Sequence, residues 1–401
     1  MPSFDNHWHV YLESLKAEGR LRALVPGRPN GTAIIERGGR TLINFSSNNY
    51  LGLAEHPALI ERAINWTQQW GAGSGASRLV TGTYDIHDSV EQKLAIFKGT
   101  EAALIFNSGY QANATVLPAL FDKDVLGDVP LVFTDKYVHA SLHHGCRAAG
   151  VHEIRFRHND LSHLESLLQK HQSKSGARFI LTESVFSMDG DCADLTALTD
   201  LAARYDAFLY VDEAHATGVL GPKGAGLSAT VSGKIDCVMG TFSKALGSFG
   251  AYVACSQRLK DYLVNRCGGL IYATALPPGV LGAIDAALDL MPMLDAERET
   301  LQHHAQRLRS ALNDHQISTA GSTTQIVPAV MGSVAATLEA SALLEGAGIL
   351  GVAIRPPTVP QGSSRIRFAV SSVHTEEHLQ ALFAVVPKLA DLQTNGQPVS
   401  P

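Results

Sequence analysis

Groups able to do chemistry collect in this chain where apolar runs end and hydroxyls, glycines or charges follow. The densest such place is Met239-Gly240-Thr241-Phe242-Ser243-Lys244-Ala245-Leu246-Gly247-Ser248-Phe249-Gly250. It continues from Ile235 to Met239, which reads as a buried strand, so Lys244 falls just past a strand's carboxyl end. Most lysines are simply solvated. One flanked by small residues lets backbone approach a ligand, and a desolvated amine becomes a useful nucleophile. Other strand ends supply complementary groups. Ala102 to Phe106 leads into Asn107-Ser108-Gly109-Tyr110-Gln111, which opens a helix whose N-terminal amides suit a phosphate, with Tyr110 as an aromatic wall. Leu131 to Thr134 leads to His139 and Ser141, Arg178 to Thr182 leads to Glu183 and Ser187, and Phe208 to Val211 leads to Asp212-Glu213-Ala214-His215. A phosphate cradle, a stacking ring, a strand-end acid and a lysine together define pyridoxal phosphate chemistry. In it the lysine takes the cofactor's aldehyde and the aspartate keeps the pyridine nitrogen protonated, so that the ring accepts electrons.

Each element alone is weak. A strand-end aspartate is often only a helix cap, and a lone histidine is more often packing than catalysis. His139 and His143 could imitate a metal pair, but the residues between them lack the glutamate of a metalloprotease helix. Leu209 to His215 resembles the Walker B segment of a DEAH-box nucleoside triphosphatase. That class also needs G-x-x-x-x-G-K-[ST], whereas the Gly-Lys pair here, Gly233-Lys234, is followed by Ile235. No metal site is expected.

The elements that must position these groups alternate. Short β-prone runs at Ala102–Phe106, Leu131–Thr134, Glu153–Phe156, Arg178–Thr182, Phe208–Val211, Ile235–Met239 and Ala251–Ala254 are mostly separated by helical patterns such as 161–171 and 195–205. The fold class is therefore α/β, a mostly parallel seven-stranded central sheet with helices on both faces and ligands beyond the carboxyl ends of its strands. After Pro277-Pro278 long helices alternate with strands at 325–331 and 365–370, and a last helix is expected over 375–392, giving a smaller α+β domain. The expected boundaries are an N-terminal arm at 1–45, a large domain at 46–280, the small domain at 281–393 and a frayed tail at 394–401. The arm reads as an amphipathic helix followed by a Gly/Pro-rich turn region. Gly71 to Arg78 follows a helix rather than a strand and reads as a flexible active-site loop, not a dinucleotide fingerprint.

The bulk composition excludes several classes. With 401 residues, 45% hydrophobic and 17% charged, the chain is globular, and a net charge of −6 offers no footprint for nucleic acid or an anionic membrane. Leu270 to Leu294 is interrupted by Pro277, Pro278, Asp285 and Asp289, so no membrane span is expected. The five scattered cysteines lack CxxC spacing and read as reduced thiols, and the N-terminal residues carry no secretory pattern, so a cytoplasmic location is expected.

Several motifs, taken together, carry a family resemblance: NFSSNNYLGL at 44–53, GSGASRLVTG at 73–82, His87 with Glu91, FSMDGD at 186–191, DEAHATGV at 212–219, TFSKALG at 241–247 and IRPPTVPQGSSRIR at 354–367. In these the chain resembles the α-oxoamine synthases, fold-type I pyridoxal phosphate-dependent transferases, from Arg22 to the last helix. The resemblance implies that Lys244 carries pyridoxal 5'-phosphate, Asp212 pairs with its pyridine nitrogen and His139 stacks on its ring. It further implies that Ser187 and His215 lie near the phenolic oxygen and that Gly109, Tyr110 and Thr241 serve the phosphate, with Thr274 reaching a partner subunit's phosphate in a homodimer. Arg367 is implied as the clamp on the amino acid carboxylate, a task suited to guanidinium geometry, and Arg22, Asn48 and Thr358 as further substrate-binding residues.

The implied reaction is decarboxylative condensation of an amino acid with an acyl thioester. The 354–360 segment favours the branch that joins L-alanine to a pimeloyl thioester in biotin synthesis, with coenzyme A or an acyl carrier protein as thiol carrier. Sister enzymes that use glycine or serine with acetyl, succinyl or long acyl thioesters share the cofactor machinery and remain the alternative. Asn49 stands where an acidic residue is frequent in the family, and DEAHATG stands where DDAHGTG is frequent. A catalytically dead scaffold is argued against by Lys244, Asp212 and His139.

Overall fold

The computed structural model describes residues 3–31 and 33–394, so the expected frayed tail lies outside the described residues apart from Thr394. By internal contact the chain divides into two units, 1–47 with 188–191 and 301–401, and 48–187 with 192–300.

The larger unit is built on a seven-stranded sheet in the order Ala102–Phe106, Ala251–Cys255, Cys237–Thr241, Ala207–Asp212, Arg178–Glu183, Leu131–Asp135, Glu153–Phe156. Ala251–Cys255 runs antiparallel to both neighbours, and the other pairings are parallel. Helices cover both faces. Three of the strands are buried along their whole length, which is why they read as continuous apolar runs rather than as alternation. The expected strand at Ile235–Met239 is displaced to Cys237–Thr241, because Asp236 stays outside the ladder and accepts the Leu209 backbone N–H at 2.7 Å. Several helices that follow strands start at side-chain caps: Ser108 accepts from Gln111 N, Asp160 from His163 N and Asp194 from Ala197 N. The 71–78 loop is tied down, since Ser74 Oγ donates to Leu276 O at 2.6 Å and Ser77 bridges Thr274.

Beneath the sheet's carboxyl end lies a fully buried ion pair, Lys98 Nζ to Glu213 Oε2 at 2.6 Å. Glu213 also accepts from Ser228 N at 2.7 Å and Ser228 Oγ at 2.6 Å, while Lys98 donates to Ala225 O. Burial alone would lower the Lys98 pKa, but Glu213 and Tyr252 together more than offset it and the ammonium is held charged. Lys98→Met strands an unpaired buried carboxylate, so urea unfolding is expected to show a loss of about 3 kcal/mol. A loss under about 1 kcal/mol would mean that the pair behaves like a surface one.

In the smaller unit the helix Ser3–Ala17 is followed not by a simple turn region but by three strands, Gly27–Pro29, Ile34–Arg37 and Arg40–Asn44, with Ile349–Leu350 added in parallel. The overlooked signal was Gly38-Gly39 between two apolar pairs. Both glycines have positive φ, 58° and 75°, as a two-residue hairpin turn demands. A second sheet orders Ile326–Gly332, Ser364–Ala369 and Ala353–Ile354. The single last helix expected over 375–392 is two, Glu376–Phe383 and Val386–Thr394, because Pro387 lacks the N–H that a continuous helix would use.

Candidate active site

Lys244 lies beyond Cys237–Thr241 with only Phe242 and Ser243 between, and is partly buried. Its turn is closed by Gly247 N donating to Lys244 O at 3.0 Å and Ser248 N to Phe242 O at 2.9 Å. Gly247 has φ 66°, and a Cβ there would come within 2.4 Å of Ala54 N, so glycine is required for packing as well as for conformation. Lys244 Nζ is 3.0 Å from His215 Nε2, and His215 Nδ1 is 2.8 Å from the Tyr50 hydroxyl.

Asp212 closes Ala207–Asp212, directly opposite Glu183 on one neighbour and Met239 on the other. Its carboxylate is buried and takes two neutral donors, Asn113 Nδ2 at 2.8 Å and Ala214 N at 2.9 Å. Tyr210 OH donates to Asn113 Oδ1 at 2.8 Å, which orients the amide toward Asp212. His139 caps Ala140–Ala148, and its Nδ1 lies 2.7 Å from Ser141 Oγ. Burial lowers its basicity, Asp212 opposes that shift and Lys244 reinforces it, so the ring is held toward its neutral form. Glu183 is buried and pushed well above the usual carboxylate range, first by desolvation and then by Asp212.

The helix Gly109–Leu120 opens beside Thr241. A Cβ on Gly109 would stand 2.7 Å from Thr241 Cγ2, and the exposed Tyr110 follows. Asn107 Nδ2 donates to Thr274 O at 3.0 Å, which places Thr274 near the same opening. The larger unit thus brings together Lys244, His215, Asp212, His139, Ser187, Thr241, Gly109, Tyr110, Thr274 and Asn48. Arg22, Thr358 and Arg367 belong to the smaller unit. There Arg22 Nη2 donates to Thr358 Oγ1 at 3.0 Å, and the buried Arg367 sits opposite Pro328 in the sheet.

Reading strand ends missed Tyr50, Asn113 and Glu183. Glu183 follows the apolar run Arg178–Thr182, but its register opposite Asp212 is set by strand pairing that the sequence does not show. Asn113 follows Tyr110 by about one helical turn, a spacing that was available. For Tyr50 the signal was the aromatic inside a polar loop.

Three features fit a phosphorylated pyridine aldehyde. Thr241 Oγ1 is buried without a hydrogen-bond partner among the described residues, at the helix opening where a phosphate would be met. The buried Asp212 carboxylate has no cation within salt-bridge reach among the described residues, as a group awaiting a protonated ring nitrogen should. Lys244 supplies the amine.

Over residues 40–386 the chain matches the family described as Aminotransferase class I and II. It is 56% identical over 392 residues to the 8-amino-7-oxononanoate synthase of Gluconacetobacter diazotrophicus, covering 97% of this chain and 98% of that one. A Bordetella pertussis protein provisionally given the same name is 63% identical over 344 residues, 86% and 87% of the two chains. Among solved structures, serine palmitoyltransferase from S. paucimobilis with bound PLP-myriocin aldimine superposes with a TM-score of 0.90 at 26% identity, covering 98% of this chain and 99% of that one. With a family match over residues 40–386 and identity this high across nearly the whole length, the chain belongs to the aminotransferase class I and II family, in its 8-amino-7-oxononanoate synthase branch.

Proposed function

We propose that this chain condenses L-alanine with a pimeloyl thioester to give 8-amino-7-oxononanoate, carbon dioxide and the free thiol carrier, with pyridoxal phosphate as cofactor, in biotin biosynthesis. The observation that carries this reading is the convergence of Lys244, His215 and Asp212 at adjacent strand ends, in a chain 56% identical to a protein of that name. Bound pyridoxal phosphate supplies an electron sink. Lys244 would hold it through Nζ and, as a free amine, would take the proton from the alanine Cα. The Cα attacks the thioester carbonyl, the thiolate leaves, and the carboxylate departs as carbon dioxide. Lys244 is placed to return a proton to the same carbon.

Asp212 is the counterion of the ring nitrogen, and Asn113 and Ala214 N fix its two oxygens. His139 forms the stacking wall, and Ser187 and His215 serve the phenolic oxygen. Thr241, Gly109 and Tyr110 hold the phosphate, with Thr274 serving a second copy in a homodimer. Arg367 clamps the alanine carboxylate, Arg22 and Thr358 serve the acyl substrate, and Asn48 is a further substrate-binding residue. Among the described residues no helix is long and apolar enough to cross a membrane, and a cytoplasmic location fits the reaction.

Thiol release tests the substrate assignment. Pimeloyl-CoA with alanine is expected to exceed glycine or serine paired with acetyl-, succinyl- or palmitoyl-CoA by at least about 100-fold in kcat/KM, the discrimination available to a pocket matched to chain length and end group. A preference for another pair would overturn the substrate while leaving the cofactor in place.

A further inference from the structure

Tyr50 is fully buried, and its hydroxyl donates to Asn48 Oδ1 at 2.9 Å and lies 2.8 Å from His215 Nδ1. A phenol carries one proton, and an amide oxygen can only accept. Tyr50 therefore spends its proton on Asn48 and presents a lone pair to His215. Nδ1 must then carry the imidazole proton, and in the neutral ring Nε2 is left as the acceptor. Nε2 is the nitrogen that lies 3.0 Å from Lys244 Nζ.

A lysine amine at neutral pH is an ammonium and has no lone pair to offer a carbonyl. We propose that Tyr50 holds His215 in its Nδ1–H tautomer so that Nε2 takes the proton Lys244 Nζ must shed before it can attack the cofactor's aldehyde. One Nζ–H bond breaks, its electron pair stays on Nζ, and the proton forms the Nε2–H bond of an imidazolium whose Nδ1–H still points at the Tyr50 oxygen. When the aldehyde is later released from Lys244, the same proton returns to Nζ. His215 thereby has a proton-transfer task beyond contact with the phenolic oxygen, and Tyr50 is a positioning residue acting through it. The role rests on Lys244 being the cofactor's tether; the tautomer does not.

The test uses cofactor-free protein labelled with 15N-histidine, the His215 signals being assigned with His215→Gln, together with stopped-flow absorbance of pyridoxal phosphate uptake. Wild type is expected to show the proton on Nδ1. Tyr50→Phe removes the acceptor for that proton, and Asn48→Leu frees the Tyr50 proton to turn toward Nδ1. Both should move proton density to Nε2 and slow uptake at least about tenfold, a modest share of what a positioned base supplies. Asn48→Leu keeps the tyrosine ring, so lost packing does not account for a shared result. An Nε2–H tautomer in wild type overturns the proposal, as does an unchanged tautomer or uptake rate in folded variants. Failure of wild type to bind pyridoxal phosphate at all would instead sink the cofactor assignment and leave the tautomer result standing.

Discussion

Lys244→Ala is expected to lose turnover by at least about 10⁴-fold, because both the covalent tether and the base that removes the Cα proton go at once. The same preparation should lose the visible absorbance of bound cofactor, and the two losses should track each other across partially reconstituted samples. Folding should survive. Lys244 is only partly buried and its turn is closed by backbone bonds from Gly247 and Ser248 that alanine retains, so thermal unfolding of the cofactor-free protein is expected to stay near that of wild type. Full thiol release by Lys244→Ala would refute the assignment. So would cofactor absorbance retained at wild-type intensity after dialysis.

How much of this was legible in the sequence depended on whether a residue's neighbours were local. Lys244, Asp212 and His139 each follow an apolar run, and a buried parallel strand announces its own end by composition, so their placement could be read from the chain. The sheet's order could not, because Ala251–Cys255 inserts antiparallel between Ala102–Phe106 and Cys237–Thr241 through pairings remote in sequence. Asn113 shows the same limit inside the site. Nothing near it in the chain shows that its amide meets Asp212, which depends on packing of the helix Gly109–Leu120 against the sheet. The Lys98–Glu213 pair was equally silent, being two charges that look solvated until both are found fully buried. The strands after the N-terminal helix failed for another reason: strands of three to five residues with hardly a fully buried side chain carry little hydrophobic signal, and only the Gly-Gly turn marks them.

Asp212 separates holding the cofactor from using it. Asp212→Asn keeps the side chain's shape and leaves Lys244 free to bind the aldehyde, so cofactor absorbance should be retained after reconstitution. Turnover should nevertheless fall at least about 10³-fold, because a neutral amide does not stabilise a protonated ring nitrogen and the ring then accepts electrons poorly from the Cα bond being broken. The substitution also creates a local conflict. Asn113 presents its Nδ2 to Asp212 because Tyr210 OH occupies its Oδ1, and Ala214 N claims the other Asp212 oxygen. An asparagine at 212 has one oxygen for these two donors, so its own amide group must face one of them. That mismatch is expected to cost about 1–3 kcal/mol in unfolding free energy, as for a buried donor left unmatched. Turnover within about tenfold of wild type in a cofactor-loaded Asp212→Asn protein would remove Asp212 from the ring nitrogen. Loss of the cofactor itself would show that Asp212 serves chiefly to bind it. With Lys244→Ala losing binding and turnover together and Asp212→Asn losing turnover alone, the amine and the carboxylate are assigned separate tasks at the same edge of the sheet.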